Sequence, residues 1–234
     1  MSKPKRFYPS GTIVAINESL NHPLIRYLKD NNPHPLSAKS TLCLESILTR
    51  LENVNTEDQK LRPCLVLNEE DEINRDGSAF KSQQRLYLLG TMAGKNRLMM
   101  DSFTQEFAIP VYPTPGSGDY QLKLTPTTPK HTSYLIGCPL GIGVSNPIYG
   151  LWKTWEYDPA MEQETTTTYQ VEPEELIRLK VELRRRHARF KKRTGEHKKH
   201  IIKAYLKVTE ARTRRPQTLA PPSIECGVSC MKHV

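Results

Sequence analysis

Apolar residues recur along this chain at two different periods, and the change of period falls near residue 170. Upstream, short apolar and β-branched runs alternate with turn formers, which is the pattern of strands. The runs at residues 11–17, 63–67, 85–91, 106–112, 120–125 and 132–138 are predicted strands. Polar or Gly/Pro-rich turns at 74–78, 113–118 and 126–130 separate several of them. Pro110 lacks an N–H, so its run should lie at a sheet edge or a bulge. One helical stripe interrupts the series. Leu44, Ile47, Leu48 and Leu51 stand at i, i+3, i+4 and i+7, and Ser37 can cap the start, so a helix is predicted over 37–54. Residues 21–35, with Pro23, Pro33 and Pro35, read as loop, and the aromatic stretch 139–160 reads as irregular.

Downstream of the polar segment 161–172, taken as a linker, the helical period takes over. Pro173 suits a first helical position, and Glu174 and Glu175 suit a first turn. Apolar positions follow at Leu176, Leu179, Leu183 and Phe190, then at Ile201, Tyr205 and Val208. The pattern predicts a helix over 173–215, with a kink at Gly195. Residues 216–234 form a short, Pro-rich tail and are expected to be disordered. The expected fold class is α+β: a small antiparallel barrel or curled sheet over residues 1–160 with an inserted helix, followed by a separate long helix.

Charge sharpens this division. The net charge is +9, yet residues 172–216 hold 16 Lys/Arg against 6 Asp/Glu, and the remainder is close to neutral. All the excess positive charge therefore belongs to the predicted helix, which points to an acidic partner for that segment. Its candidate nucleic-acid-binding residues are Arg184, Arg185, Arg186, Arg189, Lys191, Lys192, Arg193, Lys198 and Lys199. Cations spaced along a helix can neutralise successive phosphates, with salt-sensitive and largely sequence-independent binding. Two other readings fit the same charges: a solvated helix whose long side chains cover apolar surface, and a targeting signal.

The strand motifs carry a resemblance. Gly11-Thr12-Ile13-Val14-Ala15-Ile16, Arg62-Pro63-Cys64-Leu65-Val66-Leu67 and Arg85-Leu86-Tyr87-Leu88-Leu89-Gly90-Thr91 resemble, in that order, the opening strands of the PemK/MazF-like family. Phe107 to Val111 and Ser133-Tyr134-Leu135-Ile136 are similar to its later strands, so the resemblance spans about residues 11–138. It implies an SH3-like barrel. It also implies metal-independent cleavage of single-stranded RNA as an alternative function, with Arg62 and Thr91 in the groove. An arginine there could stabilise charge on a scissile phosphate, and a hydroxyl could orient it. The chain departs from the family at residues 18–61, where a helix-bearing insertion replaces a short loop, and after Gly137-Cys138-Pro139, where a charged stretch is missing.

The expected function is thus association with nucleic acid, RNA favoured, inside the cell, in cytoplasm or nucleus. A non-catalytic protein-interaction module, pairing through Leu176, Leu179 and Leu183 as a homodimer or with a protein partner, is the other alternative. No secretory leader or membrane span is expected, and five scattered cysteines suggest reduced thiols. No cofactor or metal is expected. Cys226, Cys230 and His233 supply only three ligands at unusual spacing, and Gly141-Ile142-Gly143 lacks a third glycine. Trp152 and Trp155 could stack on bases but fit aromatic packing better.

Overall fold

The computed structural model describes residues 8–31, 36–53, 60–68, 84–92, 95–114, 120–127, 132–141, 148–158 and 163–214. The element order is β1 (Ile13–Asn17), α1 (His22–Asn31), α2 (Ala38–Asn53), β2 (Leu61–Asn68), β3 (Gln84–Gly90), α3 (Ser102–Phe107) and β4 (Ala108–Val111). There follow β5 (Ser133–Ile136), β6 (Leu140–Gly141), β7 (Ile148–Leu151), β8 (Lys153–Asp158), β9 (Gln163–Thr168), α4 (Pro173–Lys192) and α5 (Gly195–Arg214). The chain is α+β.

The main sheet is antiparallel and open. Its strands run β4-β5-β3-β2-β1-β7, and short β6 pairs with β3 beyond β5. β1 sets Ile13 opposite Leu65, and β2 sets Cys64 opposite Leu88. β4 is at the edge, which suits Pro110: its carbonyl accepts from Leu122 N (2.8 Å). Segment 120–125, predicted as a strand, makes only isolated bridges, Val111 to Leu122 and Thr125 to Gln170, while Gln170 also bridges Thr12. Gly11 stands two residues before β1 at φ +94°, and a Cβ there would stand 2.6 Å from the Val171 carbonyl. Its own N–H donates to Val66 O and its carbonyl accepts from Val171 N, so glycine is needed at this junction.

Strand alternation divides the core into two layers. Val14, Ile16, Cys64, Val66, Leu86 and Leu88 face one side and join Leu24, Leu28, Leu44, Ile47, Leu51, Phe103, Phe107, Phe190, Ile201 and Tyr205. Ile13, Leu65, Leu67, Tyr87, Leu89 and Ile109 face the other and join Leu122, Tyr169, Val171, Leu179 and Leu183. Both layers contain residues of the cationic C-terminal helices. Those helices are therefore packed parts of the same core. Leu179 and Leu183, expected as a pairing stripe, are buried there against the sheet, with Leu176 partly buried beside them.

Other differences have local causes. Residues 22–31 form α1 despite Pro23. Proline is tolerated in a first turn, and Leu24, Ile25 and Leu28 supply a buried face. α2 matches its predicted span, with the Ser37 hydroxyl accepting from Ser40 N. Gln163–Thr168, read as linker, is β9, paired with β8; a run of β-branched threonines suits a strand. The predicted kink near Gly195 is a full break. Arg193 and Thr194 separate α4 from α5, and the Thr194 hydroxyl accepts from His197 N (3.3 Å) as a helix cap. The tail 216–234, with Cys226, Cys230 and His233, lies outside the described residues.

Candidate nucleic-acid interface

α4 carries the densest cationic run, and its helical phase decides which charges face solvent. Glu175, Leu179, Glu182, Leu183, Arg186 and Phe190 share the inward stripe. Arg186 is thus 1% exposed. Its Nε donates to Glu182 Oε1 (2.7 Å), and its Nη1 reaches the carbonyls of Ala108 (3.0 Å), Gln105 (3.3 Å) and Glu106 (3.3 Å). Those carbonyls belong to the last turn of α3 and its C-cap Ala108, where helix geometry leaves acceptors without intrahelical donors and the dipole favours a cation. Burial pulls the Arg186 guanidinium below its ordinary pKa, while the charge and hydrogen bond of Glu182 oppose that shift.

The neighbouring arginines hold buried carboxylates. Arg185 Nε lies 2.7 Å from Glu182 Oε2, so Glu182 bridges two arginines. Glu106, on α3 and 5% exposed, accepts from Arg189 Nε (3.1 Å) and from Arg193 Nη2. Lys198 is buried at the junction: its Nζ donates to the Lys191 carbonyl (2.8 Å) at the end of α4 and stands over the Phe190 ring. Of the nine cations expected to meet nucleic acid, Arg185, Arg186, Arg189, Arg193 and Lys198 are thus engaged with groups of the protein itself. Arg184, Lys191, Lys192 and Lys199 are exposed and have no carboxylate partner among the described residues.

α5 has the complementary phase. Ile201, Ile202, Tyr205, Leu206 and Thr209 face the core, and Val208, expected on the apolar stripe, is 38% exposed at its edge. The opposite face presents Lys199, Lys203 and Lys207, all exposed and one turn apart, which spaces the ammonium stems about 6 Å along the axis. Arg212 is also exposed. Sequence reasoning from the arginine run missed Lys203, Lys207 and Arg212. For the two lysines the signal was present in the four-residue spacing from Lys199, out of phase with the apolar stripe; Arg212 does not share that spacing. His197 and His200 are exposed on the same helix. His187 instead is half-buried, with Nε2 2.8 Å from Gly137 O and its ring against Tyr27 and Phe107. Burial lowers its pKa below the ordinary imidazole value, Gly137 opposes this, and the charges of Lys191 and Arg85 add to the lowering.

Arg62 and Thr91 stand at the other end of the molecule's chemistry. Arg62 lies on β2 in the alternation of Cys64 and Val66, half-buried, and its Nε donates to Glu18 O (2.7 Å). Burial lowers its pKa, and the Glu18 charge opposes the lowering. Glu18 is itself buried, with Oε2 3.0 Å from His22 Nδ1; the ring is not aimed for a hydrogen bond, and both its nitrogens are left without one. Thr91 follows the end of β3, exposed, in the alternation of Tyr87 and Leu89. The two candidate residues therefore continue opposite faces of adjacent strands. Trp152 packs against the second core layer. Among the described residues no group of three His, Cys, Asp or Glu side chains is placed to hold a metal, and no helix is long and apolar enough to cross a membrane.

Comparison with known proteins finds no matching family model, curated protein or solved structure.

Proposed function

We propose that the chain binds nucleic acid, RNA in particular, by laying a phosphate backbone along the outer face of α5. The observation that carries this reading is the row Lys199, Lys203 and Lys207, exposed and without carboxylate partners among the described residues. Lys191, Lys192 and Arg212 extend the supply of cations. Lysine is a strongly hydrated point charge on a flexible stem, which suits contact with phosphates without base readout. No Phe, Tyr or Trp is exposed along α5, so this face favours backbone contact over stacking. An SH3-like barrel of the PemK/MazF type belongs to the same proposal. It is supported by the strand motifs and by the bridges linking Thr12, Gln170, Thr125, Leu122 and Val111 across the edges of the open sheet.

Fluorescence anisotropy of labelled single-stranded RNA, repeated over a series of salt concentrations, tests the reading. Each phosphate contact contributes about 0.7–0.9 to the slope of log affinity against log salt. Replacing Lys199, Lys203 and Lys207 by alanine should therefore lower the slope by about 2. An unchanged affinity and slope would remove α5 as the binding face.

RNA cleavage at Arg62 is the second reading, favoured by the half-buried guanidinium held beside the Glu18–His22 pair. Incubation of RNA with the protein in chelator checks it. The reading expects cleavage that Arg62→Ala abolishes, and cleavage that survives the substitution excludes that assignment.

A further inference from the structure

α4 has two faces, and only the inner one is covered. On the outer face Ile177 is 66% exposed and Val181 59% exposed, both large apolar side chains in the middle of a 20-residue helix. They belong to a seam of exposed positions: Glu174, Ile177, Val181, Arg184, Ala188 and Lys191. The spacing alternates three and four residues, which is the spacing of a coiled-coil contact line.

The seam is also self-complementary. Laid antiparallel on a copy of itself, about a point between Glu182 and Leu183, each seam position meets another. Glu174 falls opposite Lys191, Ile177 opposite Ala188, and Val181 opposite Arg184. Every layer then occurs twice, as a two-fold axis requires. Large against small at Ile177 and Ala188 lets the backbones approach. The aliphatic stem of Arg184 can cover Val181 while its guanidinium stays in water. A parallel alignment would instead set Lys191 on Lys191, Arg184 on Arg184 and Glu174 on Glu174. The antiparallel alignment also brings each acidic N-terminal turn to a basic C-terminal turn.

The flanking charges are compatible. Arg178 and Arg185 would face each other across the axis, but each carries its own carboxylate. Arg178 Nη1 is 3.8 Å from Glu175 Oε2, and Arg185 Nε is 2.7 Å from Glu182 Oε2.

We propose that α4 pairs antiparallel with α4 of a second copy of this chain through this seam. The seam is about 26 Å long. One helix face of that length buries less than the ~800 Å² per partner of a standard interface, so the dimer is weak and depends on concentration. The pairing leaves the α5 lysine row outside the seam, and it does not rest on the RNA reading.

Sedimentation velocity of the full chain, freed of nucleic acid and run over a hundredfold concentration range, tests the proposal. The dimer fraction should rise with concentration. Glu174→Lys should weaken the dimer at least about tenfold by setting like charges opposite each other at both ends. Adding Lys191→Glu to it should restore association to near the wild-type level. Val181→Lys, which sets a cation against Arg184, should leave a folded monomer by circular dichroism. A wild-type chain that stays monomeric throughout overturns the proposal, whether its seam is idle or takes an acidic helix of another protein. So does a dimer whose Glu174→Lys/Lys191→Glu double variant is no better than the single.

Discussion

α4 and α5 are both rich in cations, yet they use them differently. On α4 and at its C-cap four arginines point at the protein, Arg186 at the end of α3, Arg185 at Glu182, Arg189 and Arg193 at Glu106, while Arg184 is exposed. On α5 Lys199, Lys203 and Lys207 point at water, while Lys198, at the junction with α4, turns in to the Lys191 carbonyl. The residue types fit the roles. A planar guanidinium offers several donors in a fixed fork and loses less on leaving water, so it can join buried carboxylates and carbonyls. An ammonium is held in solvent by its hydration. Charge counted along a sequence therefore overstates what a partner can meet, and it overstates most where arginine and inward phase coincide.

The sharpest way to break this comparison is at Arg186. Arg186→Met keeps much of the volume but removes the Arg186 donors to Glu182 and to the α3 carbonyls, leaving Glu182 with the more exposed Arg185. Leaving a buried carboxylate without its main partner should cost about 3–5 kcal/mol of stability, read by denaturant unfolding. Arg186→Lys should recover only part, because an ammonium cannot span the same acceptors. A loss below about 1 kcal/mol would mean that the buried arginine is incidental.

Glu106→Gln comes next. It removes one charge shared by Arg189 and Arg193 and should cost about 1–3 kcal/mol. It should not weaken RNA binding, since it frees two cations. A clear loss of RNA affinity in a stably folded variant would place Glu106 in the interface rather than beneath it.

The smallest effect is pH-dependent and lies at His187. Its folded pKa is lowered, mainly by burial. As pH falls the unfolded chain takes up the proton first, so stability declines through the ordinary imidazole range and is fully present above it. His187→Gln keeps a donor toward Gly137 and removes this titration. Its stability should vary less between about pH 7 and pH 5 than that of the wild type. An equal pH dependence in both would assign the effect to other groups.

The α+β class, strands β1 to β5 and α2 were legible because strand and helix periods differ, whereas β7 and β8 lie in 139–160, which reads as irregular. α1 was not, because three prolines in 21–35 outweighed the Leu24, Ile25 and Leu28 face; the one within the helix stands in its first turn. β9 was hidden by polarity, its threonines reading as linker though they are β-branched. In the candidate site, the inward stripe of α4 was legible at Leu179, Leu183 and Phe190. Extending it by one helical step would have drawn in Glu182 and Arg186. The strength of the arginine run argued against that step. The pairing of Glu106 with Arg189 and Arg193 could not be read, since it joins residues more than 80 positions apart and depends on where α3 docks.

The central claim is that binding charge lies on α5 and structural charge on α4. One measurement tests it most directly: the salt slope of RNA affinity for Lys199/Lys203/Lys207→Gln beside that for Arg185/Arg189→Gln. The first variant should unfold like wild type and lose about 2 from the slope. The second should unfold more easily and keep the wild-type slope while folded. A slope that falls in the arginine variant and stands unchanged in the lysine variant would contradict the account.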